Sequence, residues 1–263
     1  MPLILGTNSI KDTGYDVANS CRFNDGDSAS MAKSNSGSGN RRTFTMSAWV
    51  KFGLTPPASR LFSIGDDASN TIMSVFFTSG DLRFEDVQSG NQTLDFRTDA
   101  IYRDPSAWQH FAIMVDTTQG TEGNRVKIYH NGTQVTSFST ETYPDQNLDT
   151  LMNHTTGDMT VGARAASPSG SYFDGYLAEV VVLDGTAAAI GDLGEFDEDS
   201  PTIWKPKDVS GLTFGTNGFY LDFEDSSNLG NDANGGTDFT ESNLAATDQG
   251  TDSPTNNFAT LNP

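Results

Sequence analysis

Apolar and polar residues alternate along much of this 263-residue chain, in short stretches that end at Gly, Asn, Asp or Pro. The stretches are rich in β-branched and aromatic residues, a composition typical of strands in antiparallel sheets. The main ones cover residues 42–52, 108–116, 126–135 and 172–184. Their order and spacing predict an all-β fold, an antiparallel β-sandwich.

A meander of short strands is predicted after the first of these stretches. Its strands cover Thr71–Thr78, Asp81–Val87 and Gln92–Arg97, and the turns between them fall at Ser79-Gly80 and Ser89-Gly90. Strands this short and this regularly spaced are typical of a sandwich.

The pair Asn131-Gly132 predicts a β-hairpin between the strands on either side of it. A type I′ turn needs positive φ at both central residues, and Asn-Gly adopts it readily. The preceding stretch, Trp108–Asp116, is apolar on both faces, which indicates a strand that is covered on each side.

The composition changes after Gly185. Residues 187–190 favour one helical turn, and from Asp222 onward Asp, Asn, Ser, Thr and Gly dominate, which by itself predicts disorder. We therefore divide the chain into a sandwich, residues 1–190, and an irregular C-terminal extension, residues 191–263. The extension is expected to dock on the sandwich or on a neighbouring subunit through its large apolar residues, namely Phe219, Tyr220, Leu221, Phe223, Phe239 and Phe258.

The formal net charge of -20 comes from 35 acidic and 15 basic residues. Such a charge repels phosphate backbones and anionic lipid headgroups, so neither nucleic acid nor a membrane surface is an expected partner. Cys21 is the only cysteine, which excludes an intrachain disulfide. The first residues have neither the basic segment nor the apolar length of a signal peptide.

Acidic residues gathered on loops suggest calcium as one hypothesis, because hard cations prefer oxygen ligands. The alternative is ordinary turn formation by Asp and Asn. Two groups of oxygen-bearing side chains are candidates. The first is Asp66, Asp67 and Asn70, and the second contains Asp225, Asn228, Asp232, Asn234 and Asp238.

The strands resemble those of the laminin G-like, concanavalin A-like jelly roll, through motifs spread over about residues 15 to 186. The motifs are Arg22-Phe-Asn-Asp25, Phe44-Thr-Met-Ser-Ala-Trp-Val50, Trp108-Gln-His-Phe111, Tyr129-His-Asn-Gly132, Val161-Gly-Ala-Arg164 and Tyr172-Phe-Asp-Gly-Tyr-Leu-Ala-Glu-Val180. The resemblance implies a jelly-roll sandwich of the kind found in lectins and glucanases.

Segments of the extension are similar to structural proteins of tailed bacteriophages, notably Trp204-Lys-Pro-Lys207 and Gly215-Thr-Asn-Gly-Phe-Tyr-Leu-Asp-Phe223. This similarity implies a fibre, tail or capsid-surface module that is assembled in the host cytoplasm and carried on the virion. The implied partners are other virion proteins and host surface glycans, and the implied assembly is a homo-oligomer or lattice.

Glycanases with this fold need two carboxylates that flank one sugar bond. The nearest match to their strand motif is Glu195-Phe-Asp-Glu-Asp199, which ends in Asp rather than Glu and is expected to be a solvated loop. His110, His130 and His154 lack the spacing of a zinc site. No catalytic residues are therefore predicted.

Carbohydrate binding needs an aromatic surface beside planar hydrogen-bonding groups, and Arg164, Tyr172 and Phe173 are the candidates for it. Trp49 and Trp108 lie in apolar strands and are expected to be buried. Trp204 is expected on a loop. These observations favour a non-enzymatic virion module with lectin-like capacity, while a purely architectural capsid-decoration or fibre protein and an endo-glycanase remain alternatives.

Overall fold

A computed structural model of the chain describes residues 14–35, 37–53, 59–66, 70–154, 157–165 and 171–257, with only the backbone of Asp66. Asp67 and Phe258 lie outside these residues. The strands are β1 Ser20–Phe23, β2 Ser30–Ser34, β3 Thr43–Phe52, β4 Ser59–Asp66, β5 Thr71–Thr78, β6 Asp81–Gln88, β7 Asn91–Thr98, β8 Gln109–Asp116, β9 Val126–His130, β10 Thr133–Gln134, β11 Phe138–Thr142, β12 Asp158–Val161, β13 Gly175–Asp184, β14 Gly194–Phe196, β15 Trp204–Pro206, β16 Phe219–Leu221, β17 Thr240–Ser242 and β18 Gln249–Gly250. Short 3₁₀ turns cover Asp25–Asp27, Glu122–Asn124, Ile190–Asp192 and Ala246–Asp248.

Two antiparallel sheets of eight strands form the sandwich, which confirms the predicted fold class. The first sheet has the order β10-β9-β8-β3-β13-β1-β18, and β16 also pairs with β13. The second sheet has the order β11-β7-β6-β5-β4-β12-β2-β17. A separate pair, β14 and β15, lies outside both sheets.

The core between the sheets is built by the inward residues of each strand, many of them phenylalanine. Their rings pack edge to face, as with Phe77 and Phe111, whose centroids are 5.2 Å apart. This geometry is preferred because the positive edge of one ring meets the negative face of the other.

The Asn131-Gly132 hairpin is confirmed. Both residues have positive φ, 46° and 75°, as a type I′ turn requires. Gly132 is also required by packing, because a Cβ there would lie 2.2 Å from Cε3 of Trp204.

The extension completes both sheets. Its strands β16 and β18 pair with β13 and β1 in the first sheet, and β17 pairs with β2 in the second. The composition of the extension by itself predicts disorder. That prediction is wrong for the described part of the extension, because Phe219, Phe223 and Phe239 are buried in the core. The predicted helical turn is displaced to Ile190–Asp192.

The outer face of the first sheet is also buried, under residues 186–214. Met114 and Val181 of the sheet pack against Leu193, Val209 and Phe214 of this segment. Strand β8 is therefore covered on both faces, as predicted. None of the described helical turns is long and apolar enough to cross a membrane.

Candidate functional site

A row of four side chains crosses the outer face of the second sheet on strands β4 to β7. Arg60 pairs with Phe76, Phe76 with Arg83, and Arg83 with Arg97. Side chains alternate between the two faces of a strand, so the row points away from the core. The residues that alternate with this row lie in the core, among them Phe77, Leu82, Phe84 and Phe96.

A second row lies beside the first and consists of Ser63, Ser74, Glu85 and Asp95, which are cross-strand partners in that order. Its members are largely buried although they face outward. The Ser74 hydroxyl is fully buried and finds no hydrogen-bond partner within the described part of the chain. Such a buried group is normally satisfied by an ordered water. We call the two rows together the polar face.

Arg83 is the centre of the ion pairs on the polar face. Its Nε and Nη2 atoms donate to the two carboxylate oxygens of Asp95, each at 2.8 Å. Nη2 also lies 3.3 Å from Oε2 of Glu85. Paired hydrogen bonds of this kind fix both side chains, because the planar guanidinium matches the planar carboxylate.

Two further arginines complete the network. Arg97 donates from Nη2 to Asp81 at 2.7 Å, and Nη1 of Arg60 lies 3.9 Å from Oε1 of Glu85. The Arg60 guanidinium also lies 4.3 Å from the centre of the Phe76 ring, close enough for a cation–π contact. Phe76 is buried under this guanidinium, so its ring is not a free stacking surface.

Burial raises the pKa of Glu85, and the charges of Arg83 and Arg60 oppose that rise. The same causes act on any carboxylate that is moved out of water but kept beside cations. Glu85 is therefore a desolvated acid held between two guanidinium groups.

The segment after β12 packs against this face. Ser63 donates from its hydroxyl to the carbonyl of Ala163 at 2.8 Å and accepts from the backbone N–H of Ala165 at 2.6 Å. Arg164 lies between these two residues, and its charge acts on Glu85. The structure thus places the predicted residue Arg164 at the polar face.

The two aromatic candidates for carbohydrate binding behave differently. Tyr172 is half-buried. Phe173 is fully buried, with its ring against Phe23 and Phe52, and the proposal that it stacks on a sugar is corrected. The pair Tyr172-Phe173 lies between polar residues in the sequence, which suggested an exposed aromatic surface on a loop. In the structure Phe173 instead belongs to the core.

The second predicted calcium cluster does not form a ligand shell. Asp225 accepts from the backbone and side chain of Ser227, and Asp238 accepts from the backbone N–H of Asp232. Asp232 is buried, with Oδ2 3.7 Å from Nζ of Lys33. Most of these oxygens thus accept from protein donors, and calcium at this cluster stays a prediction.

In the described part of the chain, no three His, Cys, Asp or Glu side chains are grouped in a way that could hold a metal ion. Asn70 is described and has a φ of 50°. Asp67 and the side chain of Asp66 lie outside the described residues. Calcium at this first cluster therefore stays a prediction.

The predicted loop around Glu195 is partly a strand. Glu195 and Phe196 belong to β14, and Asp197 forms an ion pair of 2.8 Å with Lys205. Trp204 is likewise not on a loop: it begins β15 and is buried. The expected burial of Trp49 and Trp108 is confirmed: both belong to an apolar cluster with Trp204, and Trp108 donates from Nε1 to Asp252 at 2.9 Å.

His110 and Ser47 are 2.7 Å apart but do not form a nucleophile and base. Trp204 donates to Nδ1 of His110 at 3.1 Å, so in the neutral ring Nε2 carries the proton and donates to Ser47. Complete burial lowers the pKa of His110 to about 3. The ring is therefore a buried structural group.

Sequence reasoning did not single out Arg60, Arg83, Arg97 or Glu85. A signal was present in the predicted meander, where charged residues alternate with apolar ones in Asp81-Leu-Arg-Phe-Glu85 and Leu94-Asp-Phe-Arg97. Such alternation places the charges together on the outer face. Which of these charged residues contact one another depends on the strand register. The register cannot be read from the alternation of charged and apolar residues.

Residues 24–189 match the family described as the concanavalin A-like lectin/glucanases superfamily. The match covers more than half of the chain, which therefore belongs to this superfamily. Comparison with curated proteins gives no significant match.

Solved structures share the fold at low sequence identity. A Bacteroides ovatus protein to which carbohydrate binding is attributed aligns with a TM-score of 0.59 and 17% identity, over 86% of this chain and 58% of that one. A SAP-like pentraxin from Limulus polyphemus aligns with a TM-score of 0.46 and 15% identity, over 67% of this chain and 81% of that one. The CBM40 module of Ruminococcus gnavus IT-sialidase has the same score and identity, over 67% and 98%.

Proposed function

We propose that this chain is a non-enzymatic structural or adhesion module of a phage virion that binds carbohydrate on its polar face. The observation that carries the binding role is the polar face itself. It holds two adjoining rows of guanidinium, carboxylate and hydroxyl groups on the outer face of the second sheet, and the side chains of Arg83 and Arg97 are its more exposed members.

Sugar hydroxyls both donate and accept hydrogen bonds, and they match fixed polar groups better than mobile ones because less side-chain freedom is lost on binding. Arg83 is fixed by Asp95 and its side chain is 30% exposed, so its remaining donors face a ligand in solvent. The carbohydrate-binding role attributed to the similar Bacteroides ovatus protein supports this proposal.

The carboxylates of the polar face are unsuited to glycoside hydrolysis. Glu85 and Asp95 are direct cross-strand partners, close enough to resemble the pair of a retaining enzyme. Arg83 contacts both of them, so it occupies the position where the scissile bond would have to lie. Both acids are thus neutralised by a cation that belongs to the protein.

The virion setting is inferred from the similarity of the extension to phage structural proteins. An architectural role is the second candidate, and one observation favours it. Phe196, in β14, and Ile203, the residue before β15, are 43% and 42% exposed. Exposed apolar side chains of this size suit contact with another protein.

A glycan array and a reducing-sugar assay with the full chain test the proposal. We expect binding to at least one glycan class, and no release of reducing sugar from any bound glycan. Glu85→Gln should weaken binding, whereas Asp199→Asn, an exposed acid outside the polar face, should not. Absence of all glycan binding would favour the architectural role, and sugar release that is lost in Glu85→Gln would establish an enzyme.

A further inference from the structure

Arg83 and Arg97 are directly opposite each other on neighbouring strands of the polar face. Cβ atoms in such pairs are about 5 Å apart, and like charges in this position destabilise a sheet. Each arginine instead has its own acid, Asp95 for Arg83 and Asp81 for Arg97. We call Arg83 and Arg97 the arginine pair.

The arginine pair is accessible and keeps donors in reserve. The side chains of Arg83 and Arg97 are 30% and 40% exposed, whereas those of Asp95 and Asp81 are 11% and 9% exposed. Within the described part of the chain, Nη1 of Arg83 and both Nη1 and Nε of Arg97 make no hydrogen bond. Asp95 and Asp81 therefore bind the buried side of the two guanidinium groups. The remaining N–H donors of Arg83 and Arg97 face solvent.

The polar face is also an electrostatic exception. The ion pairs of this face join three guanidiniums to three carboxylates, so the face is close to neutral in a chain whose total charge is -20. The guanidiniums belong to Arg60, Arg83 and Arg97, and the carboxylates to Asp81, Glu85 and Asp95. A single anionic group is repelled less here than elsewhere on the chain, while a polyanion is repelled by the rest of the surface.

From this placement we propose that the polar face selects glycans with an acidic sugar, and that the arginine pair binds the carboxylate of a sialic or uronic acid. This inference rests on the proposed carbohydrate-binding function. Guanidinium groups bind a planar carboxylate through two parallel hydrogen bonds, which gives both strength and orientation.

Titration calorimetry with matched ligands tests this inference. Sialyllactose is compared with lactose, and a glucuronate-containing disaccharide with its neutral glucose counterpart. We expect at least tenfold tighter binding of one acidic ligand than of its neutral partner, and an affinity that falls with added salt. Heparin is included as the polyanion and is expected to bind more weakly than the preferred acidic ligand.

Three variants identify the residues. Arg97→Gln should reduce acidic-glycan affinity at least tenfold, while Arg103→Gln, an exposed arginine elsewhere, should leave it unchanged. Asp81→Asn removes a competing charge but keeps both arginines, so it should raise the affinity; this variant keeps the test valid if Arg97→Gln misfolds. Neutral glycans bound as tightly as acidic ones would overturn the inference but keep the proposed function. Absence of any glycan binding would remove both.

Discussion

The hydroxyl of Tyr220 donates a hydrogen bond of 2.7 Å to the buried carboxylate of Glu179. The hydroxyl of Tyr15 donates to the same oxygen at 2.7 Å and lies 2.9 Å from the Tyr220 hydroxyl. These two hydrogen bonds lower the pKa of Glu179, but burial raises it by more.

This arrangement makes stability depend on pH in an unusual direction. Burial is the main cause that raises the pKa of Glu179 from 4.5 to about 7 in the folded state. The folded chain holds this proton more tightly than the unfolded chain does. The stabilisation is thus complete below pH 4.5 and is lost as pH rises to about 7.

We expect Glu179→Gln to gain stability relative to wild type as pH rises, because Gln is never charged. At about 1.4 kcal/mol per pH unit, the gain between pH 4.5 and 7.5 should be on the order of 3 kcal/mol. Urea denaturation of both proteins across this range measures it. Glu195→Gln, at an exposed glutamate, should show no such trend, and a pH-independent difference for Glu179→Gln would rule out a proton on Glu179.

Stability should depend on the presence of both charges in the buried ion pair of Lys33 and Asp232. Lys33→Met leaves the Asp232 carboxylate buried without its cation and should cost about 3–5 kcal/mol of unfolding free energy. The double variant Lys33→Met/Asp232→Asn removes both charges but keeps an acceptor for the backbone N–H of Tyr220, so it should recover part of the loss. Equal stability of the single and double variants would contradict this.

Residues 1–190 should not fold without the extension. Removing residues 191–263 exposes Trp49, Met114 and Val181 on the first sheet and takes Phe219 and Phe239 out of the core. We expect an insoluble or unfolded product. Circular dichroism and size-exclusion chromatography of the truncated chain decide this, and a monomer with native-like sheet content would show that the extension is dispensable.

An apolar cavity of about 30 Å³ lies between the sheets and is lined by Ala48, Leu61, Val75 and Ile113 among others. Ala48→Val should fill part of it and raise the free energy of unfolding by about 1 kcal/mol. Ala178→Val is the matched control, because Ala178 is fully buried and does not line the cavity. That variant should be destabilised by about 1–3 kcal/mol through overpacking. Thermal unfolding of both variants measures the contrast.

Much of the sandwich could be predicted because its strands carry strong local signals. Alternation located β5 to β7, and Asn131-Gly132 located the hairpin. The extension could not be predicted from composition, because a few aromatic anchors such as Phe219 hold many polar residues in place. The polar face could not be predicted without the strand register that puts Arg83 opposite Arg97. This register is set by the whole sheet rather than by either strand.

The pairing of Ser20 with Gly250 joins two positions separated by most of the chain. During synthesis, the outer edge of β1 has no partner until β18 has left the ribosome. Contacts this distant in sequence slow folding, because a long loop must close before they form. Newly made chains should therefore pass through a period with open sheet edges, in which chaperones or fellow chains can pair with them.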